Sequence, residues 1–332
     1  MNKIILILSL SNLDESKILY YENLVNEIKQ TYANEIDVLL TLNSMQEFDG
    51  NISYNKIGNE IYEFGCSNAD VTNQLIKKYE SIYRNKTIIT PNRGWDVGQF
   101  LIGLKHIGNQ YEYVYHVHSK KHKTWRDKLL SIKDTNILKL NADTVSSREN
   151  FVWVHEDLLF PLDVDKNLDI LRKHDDLFPH ENLTTWGYIS GKIFTTRYDF
   201  LKPLVDGFEK IYSLLTDRNK DDVFWCEHMD DEEYYDGEFS RLENCPWNLP
   251  MTPGAREMRK KYNARNYFEL LERGYRGIPD LQIEHAIERY IGYLICYNKD
   301  IYFPETDVEQ RNLLIEKSLR IDRNKNDNIT QT

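Results

Sequence analysis

The fold is decided by KTIITPNRGWDVGQFLIGLKHI (residues 86–107) and YEYVYHVHSKK (residues 111–121). The β-branched run before Pro91 predicts a buried strand, and Asn92 is placed to cap the helix that follows. Apolar residues at helical spacing give that helix one buried face, and Gly108 ends it. The aromatic and β-branched run at 111–117 predicts a second strand that leads into a polar, basic tip. This βαβ unit predicts ligand binding at the carboxyl end of the second strand.

Strands and helices alternate along most of the chain, which predicts an α/β protein with a mainly parallel sheet flanked by helices and a C-terminal helical extension. The patterns also predict one helix over residues 125–138, one strand over 186–196 and one helix over 198–215. Four segments are expected to be neighbouring parallel strands: Ile4–Leu8, Val38–Leu42, Lys86–Thr90 and Tyr113–Val117.

Composition divides the chain into four parts. Residues 1–216 form the α/β core, and residues 217–279, rich in acidic, aromatic and proline residues, read as an irregular insertion. A strong apolar helical pattern marks 280–319, and the polar tail at 320–332 is expected to be disordered.

The net charge and the spacing of the cysteines argue against several classes of protein. The net charge of −11 over 332 residues disfavours nonspecific binding to nucleic acid. The four cysteines form no close pair, which is typical of reduced thiols in a cytoplasmic protein. The apolar run at the N-terminus is too short to span a membrane and lacks a cleavage site, so it predicts a buried first strand.

The start of the helix after Pro91 is the first candidate site. Backbone N–H groups and the helix dipole favour an anion there, and Arg93 adds a positive charge beside Asn92 and Gly94. The alternative is that Asn92 and Asp96 only cap and complement the helix.

The tip of the following strand is the second candidate site. His116 and His118 share one face of the strand, and Ser119, Lys120 and Lys121 follow. These residues fit a metal site, a cationic cradle for a diphosphate, or a solvated basic turn. Two histidines without a third ligand are a weak metal signal, and the lysines favour an anion. Asp96, His118 and Lys121 are expected to border one cleft, because helix starts and strand ends share a sheet edge.

Two pairs of carboxylates supply further candidates. Asp163 and Asp165 have the spacing of carboxylates that hold a divalent ion with a nucleotide diphosphate. Glu284 and Glu288 lie one helical turn apart and face the same way, which suits either a general base or an ion-paired helix surface.

Four pieces of the sequence occur in an informative order: residues 91–101, residues 113–121 with Trp125 and Arg126, residues 190–197 with 201–204, and residues 285–292. Together they resemble the rhamnan synthesis protein F family, glycosyltransferases of bacterial surface polysaccharides.

The resemblance implies a GT-A-like, nucleotide-sugar-binding fold and transfer of a sugar, in several members rhamnose, to a glycan or glycolipid acceptor. Asp96, Glu284 or Glu288 would then be the catalytic base. Acceptor choice is expected in residues 217–279, and peripheral association with a membrane is left open. The donor would be held by residues of three pieces: Asn92, Arg93, Gly94, His116, His118, Ser119, Lys120, Lys121, Ser190 and Gly191.

The strand tip departs from the pattern of many GT-A enzymes, which place a metal-binding Asp-x-Asp there. We therefore expect Lys120 and Lys121 to neutralise the diphosphate and activity to depend less on a divalent ion. A divalent cation, Mn²⁺ or Mg²⁺, stays open, with Asp163 and Asp165 as its ligands. The other classes left open are a non-catalytic glycan- or nucleotide-binding module and a phosphosugar transferase.

Overall fold

The computed structural model describes residues 2–11, 13–79, 86–119, 127, 129–148, 151–153, 171–180, 187–189, 192–215, 283–297 and 299–304. Eleven strands lie within these ranges: β1 (Ile4–Leu10), β2 (Ile36–Asn43), β3 (Tyr54–Gly58), β4 (Ile61–Phe64), β5 (Lys86–Thr90), β6 (Tyr113–His118), β7 (Thr144–Ser146), β8 (Phe151–Trp153), β9 (Gly187–Ile189), β10 (Phe194–Arg197) and β11 (Ile301–Tyr302).

Six α-helices lie within the same ranges: α1 (Glu15–Thr31), α2 (Ala69–Lys78), α3 (Trp95–Ile107), α4 (Tyr198–Asp206), α5 (Phe208–Leu214) and α6 (Ile283–Cys296). Short 3₁₀ turns cover Gly108–Gln110, Leu130–Asp134 and Ile137–Lys139. Among the described helices, none is both long and apolar enough to cross a membrane.

Nine of the strands form one sheet in the order β11-β7-β10-β6-β1-β2-β5-β4-β3. The four strands predicted to be neighbours are adjacent as β6-β1-β2-β5, and all three of their pairings are parallel. β10 runs antiparallel to β6 and β7, and β3 runs antiparallel to β4. The predicted α/β class with a mainly parallel sheet is therefore confirmed.

Both faces of the central sheet are covered, because side chains of each strand alternate between two apolar cores. Along β1, Ile5 and Ile7 join the core that contains residues of α3, α4, α5 and α6. Ile4, Leu6 and Leu8 join the opposite core, with residues of α1 and α2. The helix α6 thus packs against the main sheet on the same side as α3.

The direction of winding reverses at β1. The chain passes from β1 to β2 and β5 through helices on one face, and from β5 back to β6 through α3 on the other face. Ligands of open α/β sheets bind at such a reversal, outside the carboxyl ends of the strands. In this sheet the reversal lies between β1 and β6.

Three single elements of the sequence prediction are broken in the structure. The predicted helix at 125–138 is helical at Asp127 and Leu129, but its later part is two 3₁₀ turns separated by extended backbone at Thr135. The predicted strand at 186–196 is two strands, β9 and β10, because Lys192 takes a positive φ of 52°. The predicted helix at 198–215 is two helices, α4 and α5, which meet at Gly207 beyond Pro203. Proline removes a backbone donor and glycine weakens a helix, so the break falls where the chain is least helical.

Candidate active site

The candidate active site lies at the carboxyl edge of the parallel strands, beside the first turn of α3. Asp96 belongs to that first turn, and His118 is the last residue of β6. The Nδ1 atom of His118 lies 3.0 Å from Oδ2 of Asp96. The structure therefore brings together two residues that the sequence assigned to a common cleft.

An unusual backbone turn places Asp96 at this edge of the sheet. Gly94 and Trp95 have positive φ angles of 65° and 54°, and the tryptophan conformation costs about 1–3 kcal/mol because its Cβ crowds the backbone. Helix α3 then starts so close to the preceding loop that a Cβ on Gly98 would lie 2.0 Å from the carbonyl oxygen of Arg93. Position 98 therefore has room only for glycine while the loop at Arg93 keeps this position.

Lys192 completes the cluster around Asp96, and sequence reasoning did not single it out. Its Nζ atom lies 3.1 Å from Oδ2 of Asp96 and 3.9 Å from Oε2 of Glu288. The side chain is only 4% exposed. Burial alone would lower the pKa of Lys192, but the negative charges of Asp96 and Glu288 outweigh it and raise the pKa. The lysine is therefore a charged ammonium group inside the protein.

His116 lies beneath this cluster and fixes the backbone of Lys192. Its Nδ1 lies 2.6 Å from the carbonyl oxygen of Lys192, and since a carbonyl only accepts, Nδ1 carries the hydrogen. Nε2 then accepts from the hydroxyl of Ser9 at 3.4 Å, and Thr41 donates to Ser9. Burial and the adjacent His118 hold the pKa of His116 well below its usual range, so the ring is neutral. Because His116 is fully buried, its contacts support the site from below.

Helix α6 supplies two more carboxylates. Glu288 lies 3.8 Å from Nη1 of Arg289 as well as near Lys192, and its side chain is 11% exposed. Glu284, one turn earlier, is completely buried. Both carboxylates are therefore largely buried, and Glu288 makes its ion pairs inside the protein rather than on an exposed helix surface.

Asn92 and Arg93 have other contacts than those predicted. The cap position of α3 is Gly94, so the prediction that Asn92 caps this helix is wrong. Asn92 is buried, and its Oδ1 accepts from Asn43 Nδ2 at 3.0 Å, which ties the end of β5 to the end of β2. Arg93 donates to the carbonyl oxygens of Tyr212 and Ser213, at 3.2 and 2.8 Å. Its guanidinium is thereby directed to the end of α5.

Hydroxyl groups line the reversal between β1 and β6. The Oγ atoms of Ser11 and Ser119 lie 2.9 Å apart, and the backbone N–H of Ser11 also points to Ser119 Oγ at 3.3 Å. Both serines are partly exposed at the ends of their strands. Hydroxyls in this position can donate to and accept from a polar ligand.

Several predicted site residues lie outside the described part of the chain, and so does the predicted insertion at 217–279. Among the described residues, no three His, Cys, Asp or Glu side chains are grouped to hold a metal ion. The described residues therefore do not form a ligand set for Mn²⁺ or Mg²⁺. The predicted site residues that lie outside the described ranges are Lys120, Lys121, Asp163, Asp165, Ser190 and Gly191.

Comparison with known proteins gives a weak structural likeness. No family model and no curated protein matches the chain. Among solved structures, the chain is similar to core-mannan synthase A from Aspergillus fumigatus in its Mn/GDP form, with a TM-score of 0.30 and 8% sequence identity. The match covers 66% of this chain and 66% of that chain. A likeness of this size carries no argument about activity.

Proposed function

We propose that this protein is a glycosyltransferase that moves a sugar, rhamnose or another hexose or deoxyhexose, from a nucleotide-sugar donor to a glycan or glycolipid acceptor. The observation that carries the proposal is the largely buried cluster of ionisable residues at the sheet reversal, formed by Asp96, His118, Lys192 and Glu288. Burying charge costs stability, so a cluster of this kind in a ligand-binding position indicates function. The type of reaction follows from the ordered resemblance to rhamnan synthesis protein F.

The donor is proposed to lie over the carboxyl ends of β1 and β6. In open α/β sheets the crevice at the reversal of winding receives the ligand. Ser11 and Ser119 offer hydroxyl groups there, within the same edge as His118 and Asp96. Lys120 and Lys121 follow Ser119 directly in the sequence and are proposed to neutralise the diphosphate.

Asp96 is proposed as the catalytic base because it is the most accessible of the three candidate carboxylates. Its side chain is 18% exposed, compared with 11% for Glu288, while Glu284 is completely buried. A base must reach the proton of the acceptor, which a buried carboxylate cannot do. Glu288 is better placed to balance the charges of Lys192 and Arg289.

The proposed transfer forms one bond and breaks another. The acceptor hydroxyl oxygen bonds to the anomeric carbon of the donor sugar, and the bond from that carbon to the nucleotide diphosphate breaks. The hydroxyl proton passes to the carboxylate of Asp96, and the diphosphate leaves with the electron pair of the broken bond. The ionised carboxylate is the form of Asp96 that accepts a proton.

A donor and acceptor screen tests this function. The full chain is incubated with nucleotide-activated rhamnose, other hexoses and deoxyhexoses, with and without oligosaccharide acceptors, and both nucleotide release and product mass are measured. We expect nucleotide release and an acceptor whose mass increases by one sugar without phosphate. Added sugar phosphate would indicate a phosphosugar transferase. Donor binding without any release would indicate a binding module and refute the proposal.

A further inference from the structure

Lys192 links two carboxylates that come from distant parts of the chain. Asp96 is 96 residues before Lys192 and Glu288 is 96 residues after it, by subtraction of their numbers. The ammonium group lies 3.1 Å from the first carboxylate and 3.9 Å from the second. It therefore forms a charged contact between α6 and the first turn of α3.

The backbone of Lys192 is fixed independently of its side chain. Its φ of 52° lies in the left-handed region, and its carbonyl oxygen lies 2.6 Å from Nδ1 of His116. Because Phe194 of β10 pairs with His116 of β6, the sheet register itself brings this loop to the histidine. A residue with a fixed backbone loses less freedom when its side chain is held in one place.

The side chain of Lys192 is too buried to meet a substrate directly. Its exposed fraction is 4%, whereas that of Asp96 is 18%. Any effect of its charge on the reaction must therefore pass through the carboxylate beside it.

Among the described residues, ionisable side chains of β6, of α6 and of the loop before β10 lie around Asp96. His118 of β6 contacts Oδ2 directly, and neutral His116 stacks on His118 with ring centres 5.6 Å apart. From α6, Glu288 competes for Lys192, while Arg289 contacts Glu288. In this group Lys192 is the one lysine or arginine within ion-pair distance of Asp96 among the described residues.

We propose that Lys192 is a positioning residue for Asp96, holding the carboxylate ionised and oriented at the carboxyl edge of β6. This inference rests on the proposed function only for its effect on catalysis. The ionisation of Asp96 can be measured without any reaction. An opposite charge within a few ångströms favours the ionised form of an aspartate by about 1–3 pH units, so removing it has a measurable consequence.

The test is an NMR titration of the Asp96 carboxyl carbon, assigned with Asp96→Asn, in the full chain. In Lys192→Met, which keeps the side-chain volume and removes the charge, we expect the titration midpoint to rise by about one pH unit or more. Lys192→Arg should keep the midpoint near that of the wild type. Lys210→Met is the matched control, because Lys210 is an exposed lysine with a side chain 73% accessible, and it should leave the midpoint unchanged.

Two further variants keep the inference testable if Lys192→Met does not fold. Glu288→Gln retains Lys192 and removes its second carboxylate, so the Asp96 midpoint should fall. The double variant Lys192→Met with Glu288→Gln removes one positive and one negative charge, so its midpoint should rise by less than that of Lys192→Met, because Lys192 is the group in direct contact with Asp96. An unchanged Asp96 midpoint in folded Lys192→Met would overturn the inference, and so would an unchanged midpoint in both Glu288→Gln and the double variant.

The catalytic consequence is measured separately. If the chain transfers sugar, the acidic limb of the kcat profile should move to higher pH in Lys192→Met, in step with the carboxyl titration, while donor KM changes little. A kcat that falls equally at every pH would indicate a merely structural role for Lys192. If the wild type transfers no sugar, the proposed function fails, and the titration still decides the role of Lys192.

Discussion

Gly98→Ala tests whether the close entry of α3 sets the position of Asp96. A Cβ at position 98 would lie 2.0 Å from the carbonyl oxygen of Arg93, and real Cβ contacts stay beyond 3.0 Å, so the two groups must separate by about 1 Å. The oxygen belongs to the backbone, and the side chain of Arg93 is held by the carbonyls of Tyr212 and Ser213. The loop cannot move without disturbing those contacts.

The expected cost follows from two opposing effects. Replacing a helical glycine by alanine stabilises a helix by about 1 kcal/mol, while overpacking of this severity costs about 3 kcal/mol. The net destabilisation is therefore about 2 kcal/mol, which lowers Tm by roughly 3 °C in a chain of 332 residues. Because Asp96 lies two residues before Gly98, turnover should also fall.

Gly103→Ala is the matched control in the same helix. Its Cβ would meet the Cγ2 atoms of Ile7 and Thr41 at 3.0 and 3.4 Å, which side chains can relieve by a few tenths of an ångström. Its stability should stay within about 1 kcal/mol of the wild type, since propensity and crowding nearly cancel. Thermal melting and turnover of both variants are measured. A Gly98→Ala protein as stable and active as Gly103→Ala would refute the packing argument.

Two other expectations concern stability. Arg93→Ala removes hydrogen bonds to the carbonyls of Tyr212 and Ser213, so Tm should fall. Donor affinity measured by calorimetry should stay within about twofold, a difference of only about 0.4 kcal/mol. A large loss of affinity would show that Arg93 binds the donor. Burial lowers the pKa of His116 well below 6.5 and that of His106 to about 4, so the unfolded chain binds more protons than the native one as pH falls below about 6.5. Stability should then decrease from pH 6.5 towards pH 4, and His116→Gln should make that decrease shallower in thermal melts; an unchanged slope would show that His116 is not held neutral.

The central sheet was predictable because its signal is local. Each of the four parallel strands is a short, mostly apolar run that ends in polar residues. Every residue of β1 is buried, and the run from Ile4 to Leu8 is continuously apolar rather than alternating. The first turn of α3 and the end of β6 were placed at one edge by the same reasoning, which is how Asp96 and His118 were found together.

The contacts within the site were not predictable because they join distant segments. Asn92 has the local appearance of a helix cap, yet its side chain bonds Asn43, 49 residues earlier. Lys192 has no acidic residue close to it in the sequence that would indicate a buried ion pair, because both of its carboxylate partners lie 96 residues away by subtraction. Its place in the resembling piece at residues 190–197 was the one available signal.

The most direct test of the account is the turnover of Asp96→Asn, which keeps the shape of the side chain and removes its ability to accept a proton. A positioned general base contributes about 10²–10⁴-fold to rate. We therefore expect kcat for sugar transfer to fall by about 100-fold or more, with donor affinity and the far-ultraviolet circular dichroism spectrum close to those of the wild type. Asp199→Asn, at an exposed aspartate of α4 whose side chain is 75% accessible, should retain full activity. If Asp96→Asn transfers sugar as fast as Asp199→Asn, the cluster around Asp96 is not the active site.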